Sequence, residues 1–442
     1  MKRAISQEFS FWQLLAFSVP AVAMLVVSSL YTAVDGVFVS RFVGSDGLSA
    51  INIVLPLDTL AFGVGIMFGT SAIVGRKLGQ GEAKAVDHDL TLATLAAGVL
   101  GAVLSVLGLV FLEPLVRLLG ASDRLLPYCL EYGRVLFASA FFTVIQVMYQ
   151  ALFITAGRGR IALWLTVGSG VLNLVLDWLL IGVLGMGMTG AALGTVSGRV
   201  LGGLFPLFYF LKERGTLRFC RPRWDPGMLA LAMGNGSSEM VSNLAISATT
   251  LLFNLSMLAL AGEDGLAAMT IVLYAQFVYT AVSMGFSTSA APVISYHFGS
   301  GNTRYLQRLF RHCLGAIVLV TAAMMASAML FARPLIALFT PPGGAVFDLA
   351  LHGFWIFLWN FLFAGFNIFS SSLFTALSNG AVSALISFLR TLVFVVGSIL
   401  LLPRLLGLDG IWLAIPVAEG LTFLIAAVLV IRFGKEPYHY LR

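Results

Sequence analysis

Residues 43–54 read VGSDGLSAINIV, and 218 positions later residues 261–272 read AGEDGLAAMTIV. The echo continues: GTSA at 69–72 returns as STSA at 287–290, and LGQG at 78–81 as FGSG at 298–301. Further on, GMTGAAL at 187–193 returns as GLDGIWL at 407–413. Self-similarity at so long and so steady an offset means that one structural half has been used twice.

The repeated material is apolar. Of 442 residues, 59% are hydrophobic and 10% are charged, whereas soluble domains carry about 25% charged residues. Runs of about 20 apolar residues, each long enough to cross the bilayer core as a helix, follow one another from end to end. Twelve are legible: 11–39, 47–75, 89–113, 128–156, 161–182, 187–211, 227–260, 265–296, 309–332, 348–377, 382–402 and 409–432. The longest imply tilt, kinks or ends outside the bilayer. The expectation is an all-α polytopic membrane protein with six helices in each half.

The polar stretch KERGTLRFCRPRWDP at 212–226 separates the halves. It makes 1–211 a first lobe, 212–226 a basic linker and 227–442 a second lobe. Because six is even, both lobes start on the same side of the membrane. Their pseudo-two-fold axis then runs along the membrane normal, and an apolar chain built this way points to a transporter with its site between the halves.

The net charge of +6 does not point to nucleic acid, because the basic residues follow the loops. Eighteen Lys and Arg fall on the side that carries the termini and five on the other. That bias predicts cytoplasmic termini and a cytoplasmic basic linker. The first apolar stretch is too long for a cleaved signal peptide. Cys129, Cys220 and Cys313 have no metal-ligand spacing and read as free thiols. His88, His297, His312, His352 and His439 are scattered near membrane edges. No nucleophile and base pair up, so neither an enzyme nor a bound cofactor is expected.

A charge inside the hydrocarbon needs a partner or a function. Five acids lie within the spans: Asp35, Asp58, Asp177, Glu239 and Glu419. The clear bases there are Arg199 and Arg390. At about 1.5 Å of rise per residue, Asp58 and Arg199 reach a common depth, as do Glu419 and Arg390. Two structural ion pairs, one per half, follow. Asp58 also reads as a cavity-wall acid for a cationic substrate, since its repeat counterpart, Gln276, is polar too. Glu239, alone in SSEMVSN at mid-depth, reads either as a cavity contact or as a hydrogen-bonding group between the lobes. Tyr274 and Phe286 are candidate cavity aromatics, and Pro20, Pro292 and Pro416 are candidate kinks.

Asp35 and Asp177 have no obvious base. Asn173 and Asp177, four residues apart, share one helix face. Thr195 comes to a similar depth across a short turn. Two carboxylates, an amide and a hydroxyl thus converge in the outer half of the first lobe. Such hard oxygen donors suit a proton or a sodium ion. The aligned positions in the second half are Phe253, Phe394, Ser398 and Ile415, so the duplicate carries no such cluster.

YTAVDGVFVSRFVGSDGLSA, GRKLGQGEA, NLVLD and GAALGTVSG, in this order and spacing, resemble the multidrug and toxic compound extrusion (MATE) family across the whole chain. The resemblance implies an antiporter in the bacterial cytoplasmic membrane for small organic, often cationic, compounds. It would act as a monomer and expel them against inward flow of protons or sodium. It also implies that Asp35, Asn173, Asp177 and Thr195 hold the coupling ion, as metal ligands where that ion is sodium. The competing expectation is a flippase for lipids or lipid-linked saccharides from the same superfamily. Such relatives have fourteen helices and a basic cavity, whereas this sequence gives twelve helices and mostly acids.

Overall fold

The computed structural model of the chain is almost entirely helical. It describes residues 4–436 except 44, 68–70, 120, 122, 213–216, 338, 339 and 341, and also 438, 440 and 441. Some further side chains, including those of Glu239 and Tyr274, lie outside the described residues.

The first half contains α1 (Phe11–Phe42), then α2 in two pieces (Ser45–Met67 and Ser71–Gly79), and α3 (Ala83–Leu118). It continues with α4 (Leu126–Ala138 and Ala140–Thr155, bent by 57°), α5 (Gly159–Val183) and α6 (Gly187–Lys212). The second half opens with helix Pro226–Gly299, which breaks at Gly262 (φ 63°) into α7 (226–261) and α8 (263–299). After it come α9 (Thr303–Ala337), α10 (Ala345–Ala376), α11 (Gly380–Leu406) and α12 (Leu408–Lys435). These twelve rods match the twelve apolar runs. Several are longer than the run that announces them: α3 covers 83–118 where the apolar stretch covers 89–113. Pro20, Pro292 and Pro416 all sit inside continuous helix.

The duplication is written into the backbone. Gly81 and Gly301, 220 positions apart, both have positive φ (84° and 68°). So do Gly187 and Gly407 (56° and 60°), where α5 turns into α6 and α11 into α12. Left-handed backbone of this kind favours glycine. The α4–α5 turn has Gly157 at φ 72°, and its counterpart in the α10–α11 turn is Ser378 at φ 60°.

Burial of apolar side chains divides into three cores. One draws only on the first half, from Val39 to Ala192, and includes Leu57, Tyr132 and Phe137. A second draws only on the second half, from Phe253 to Ala418. The third joins the halves at the end that carries the chain termini, packing Leu14, Val74 and Leu78 with Ala290, Val293 and Tyr440. Among the described residues the bundles therefore share a core at one end and keep separate cores at the other.

The linker does not hang free. Its Arg218 donates from backbone N and Nε to Asp87 at 3.2 and 3.1 Å, and the Cys220 N–H donates to Thr91 Oγ1 at 3.1 Å. All three cysteines are free thiols.

Candidate functional site

The α5–α6 hairpin builds the site. Its short turn needs Gly185 and Gly187, both at positive φ, and this brings α6 back along α5. Small residues on α6 allow a close approach. A Cβ placed on Gly194 would run into Asp177 Oδ1, and one on Gly198 would lie 2.8 Å from the Ser169 carbonyl oxygen. Directly after Asp177, residues Trp178–Val183 widen into a π-turn. Such turns frequently mark functional positions in helices.

Asp177 is fully buried and Asn173 nearly so. The Asp35 carboxyl on α1 and the Asn173 amide on α5 both reach Asp177. Neither contact completes a well-formed hydrogen bond. Among the described residues, Asp35 Oδ1, both Asp177 oxygens, both polar atoms of Asn173 and Thr195 Oγ1 are buried without one. Buried polar atoms are normally satisfied, so six unsatisfied ones in one place make this cluster the candidate site. Two carboxylates in contact repel unless a proton or a cation sits with them. The donor set is entirely hard, with carboxylate, amide and hydroxyl oxygens, and so it fits sodium as well as a proton.

Tyr132, on α4, also belongs here. It is buried, with its hydroxyl beside Thr195 and within electrostatic range of Asp35, Asp58 and Arg199. Its distance from the outer end of α4 resembles that of Asp35 from the outer end of α1, and this depth match is the one clue the sequence offers.

Arg199 donates to Asp58 from Nη1 and Nη2, at 2.7 Å each, and to Thr143 Oγ1 at 3.2 Å. Its guanidinium also lies 5.1 Å from the Phe62 ring centre. Planar two-point pairing of this kind is the strongest geometry open to arginine. In the second half, Arg390 Nε donates to Glu419 Oε1 at 2.8 Å, and Asn367 Nδ2 to Glu419 Oε2 at 2.7 Å. Arg199 and Glu419 are 220 positions apart, so equivalent positions on α6 and α12 carry opposite charges, each paired within its own half but with partners on non-equivalent helices, α2 and α11. Arg390 also lies within a π-turn, Leu389–Val393.

Of the cavity candidates, Asp58 is committed to Arg199. Gln276 is half-buried, while the side chains of Glu239 and Tyr274 lie outside the described residues. Phe286 is buried beside a cavity of about 10 Å³ lined by Ser283, Ile317, Val320, Thr321 and Gly365. That space holds one water and no organic substrate.

The sequence profile described as MatE matches residues 20–179 and again 240–400, one segment in each half. The chain belongs to the MatE family. Multidrug export protein MepA of Staphylococcus saprophyticus is 24% identical over 420 residues, covering 94% of this chain and 92% of that protein. MepA of Staphylococcus aureus is 24% identical over 426 residues, covering 95% and 93%. Among solved structures, a multidrug resistance MATE family transporter of the MOP superfamily in an outward-facing conformation superposes with a TM-score of 0.89. Its identity is 24%, over 98% of this chain and 99% of that one. A MATE structure in complex with MaL6 gives 0.91 at 23% identity, over 98% and 100%. The MatE fold thus accounts for the whole chain, which is a multi-pass membrane protein.

Proposed function

We propose that this MatE protein is a multidrug exporter in the bacterial cytoplasmic membrane, driven by inward movement of protons or sodium. The Asp35–Asp177 contact carries the reading: two carboxyl groups, held by different helices, of which Asp35 Oδ1 and both Asp177 oxygens are buried with no hydrogen bond among the described residues. The export role is supported by the family and by the names of the MepA relatives. Both termini would face the cytoplasm, and the transporter would work as a monomer on small organic, cationic compounds.

The mechanism follows from where the acids sit. Asp177 is fixed by the α5–α6 hairpin, whereas Asp35 belongs to α1, which also packs against the second half through Ser18 and Ser289 (2.6 Å between hydroxyls). An occupant shared by both carboxyls draws α1 toward α5, and its loss lets the two repel. Occupancy thereby favours one arrangement of α1 over another by differential affinity. Asn173 and Thr195 orient the pair and supply further oxygens. Arg199 is held by Asp58 and so does not neutralise the pair.

The test uses purified protein in proteoliposomes with a cationic dye as substrate. A pH gradient or a sodium gradient should drive dye movement, and Asp35→Asn should abolish it while leaving expression and melting temperature unchanged. Full transport by Asp35→Asn would refute the coupling role.

A further inference from the structure

The shared core at the termini end is pinned by a crossing of α2 and α8. A Cβ placed on Gly79 would run into the Tyr296 carbonyl oxygen, and one on Gly299 into the Arg76 carbonyl oxygen. These are the same contact seen twice: Gly79 and Gly299 are 220 positions apart, and so are Arg76 and Tyr296. A Cβ on Gly75 would lie 2.9 Å from Ser295 Cβ, and this third pair is related by the same offset. A residue that touches its own repeat counterpart lies on the pseudo-two-fold axis. The crossing is therefore the point on the axis where the halves meet, backbone against backbone.

Further contacts surround it. Gly285 brings α8 against the Val22 backbone of α1, with a Cβ position 2.5 Å from Val22 Cα. Arg76 lies over the Phe298 ring at 5.5 Å, and Tyr438 packs on the same ring. The N-terminal segment reaches across to α9, where the Phe9 N–H donates to the Tyr305 hydroxyl at 2.6 Å. The buried ion pairs, by contrast, each close within one half. Parting the halves here breaks mainly van der Waals contacts, which are individually small, and leaves both charged pairs intact.

We propose that the Gly79–Gly299 crossing is the seal that must part for the central site to open toward the face carrying the termini. Glycine at these two positions sets how tightly it shuts. The inference rests on the export reading proposed above, with a site that faces one side and then the other, and it adds the place where the halves separate and the residues that control it. Larger side chains at either glycine wedge the seal and populate the state open to that face. Because the contact is symmetric, substitutions at 79 and 299 act alike.

Two measurements test this. In protein with Cys129, Cys220 and Cys313 changed to Ser, Ser289→Cys is a reporter buried beneath the seal. Its maleimide labelling rate is measured in nanodiscs. Gly299→Ala and Gly299→Leu, and the same changes at Gly79, should raise it stepwise, by roughly tenfold for Leu, as for a minor state going from about 1% to about 10%. Gly397→Leu, in open space, should leave it unchanged. Equal rates for glycine and leucine in folded protein overturn the proposal. Should the leucine variants fail to fold, Gly75→Cys with Ser295→Cys decides. Their Cβ separation needs only a small relaxation to suit a disulfide. Oxidation should stop dye export and reductant restore it, whereas export by the crosslinked protein at the reduced rate overturns the seal. If the wild type exports nothing under any gradient, the transport reading fails while the labelling rates still judge the seal.

Discussion

Arg199 gives both terminal nitrogens to Asp58, at 2.7 Å each, and so stands one helical turn from Thr195 with its charge already matched. A free arginine at that position would be drawn to the Asp35–Asp177 pair and neutralise it. The pairing explains how a buried base and two buried acids share one half of the bundle.

Removing one partner exposes that dependence. Asp58→Ala should destabilise the protein by about 3–5 kcal/mol, the usual cost of stranding a buried charge. Asp58→Leu with Arg199→Met should recover most of the loss. A double-mutant cycle followed by thermal unfolding in detergent measures the coupling.

Gly194 makes a second prediction. A methyl group there collides with Asp177 Oδ1, so Gly194→Ala should displace the carboxyl and cut dye transport by roughly tenfold or more, as misplacement near a reacting group can. Gly168→Ala, on α5 with open space around it, should transport normally. Initial rates in proteoliposomes separate the two.

Tyr132→Phe removes one hydroxyl and keeps the ring. The fold should persist, because the ring packs in the first-half core. Transport should fall several-fold, as expected from losing one polar contact of about 1 kcal/mol beside Thr195. Parallel melting curves and transport rates distinguish this from a packing defect.

Ser378 pays a backbone cost that its counterpart Gly157 avoids. Its hydroxyl is buried without a hydrogen bond among the described residues, so the side chain does not offset that cost there. Ser378→Gly should raise stability by about 0.5–1 kcal/mol, and Gly157→Ala should lower it by about 1–2 kcal/mol. Unfolding midpoints in detergent check both.

The duplication is legible in the sequence because reversed turns demand glycine and hydrophobic length demands a span. Those two constraints act residue by residue, so Gly81 and Gly301, or Gly187 and Gly407, announce equivalent places. Depth counting also pairs Asp58 with Arg199 and Glu419 with Arg390, because rise per residue is nearly constant in a helix. It cannot supply rotation about the helix axis. Tyr132 and Asn367 enter their networks only through the way α4 and α10 are turned, which interhelical packing decides. The π-turn after Asp177 and the contact at Gly194 are likewise products of α5 lying against α6. Ser378 hides its left-handed backbone behind an ordinary residue type.

A bundle with one common core and two separate ones does not have the same cross-section at both ends. The halves share one core at the end that carries the termini and pack separately at the other. When the halves exchange which ends touch, area must be surrendered in one leaflet and gained in the opposite one. In the proposed export cycle each exchange would do mechanical work on the surrounding lipid, and acyl-chain crowding that differs between leaflets would tilt the balance between the two orientations without any molecule entering the protein.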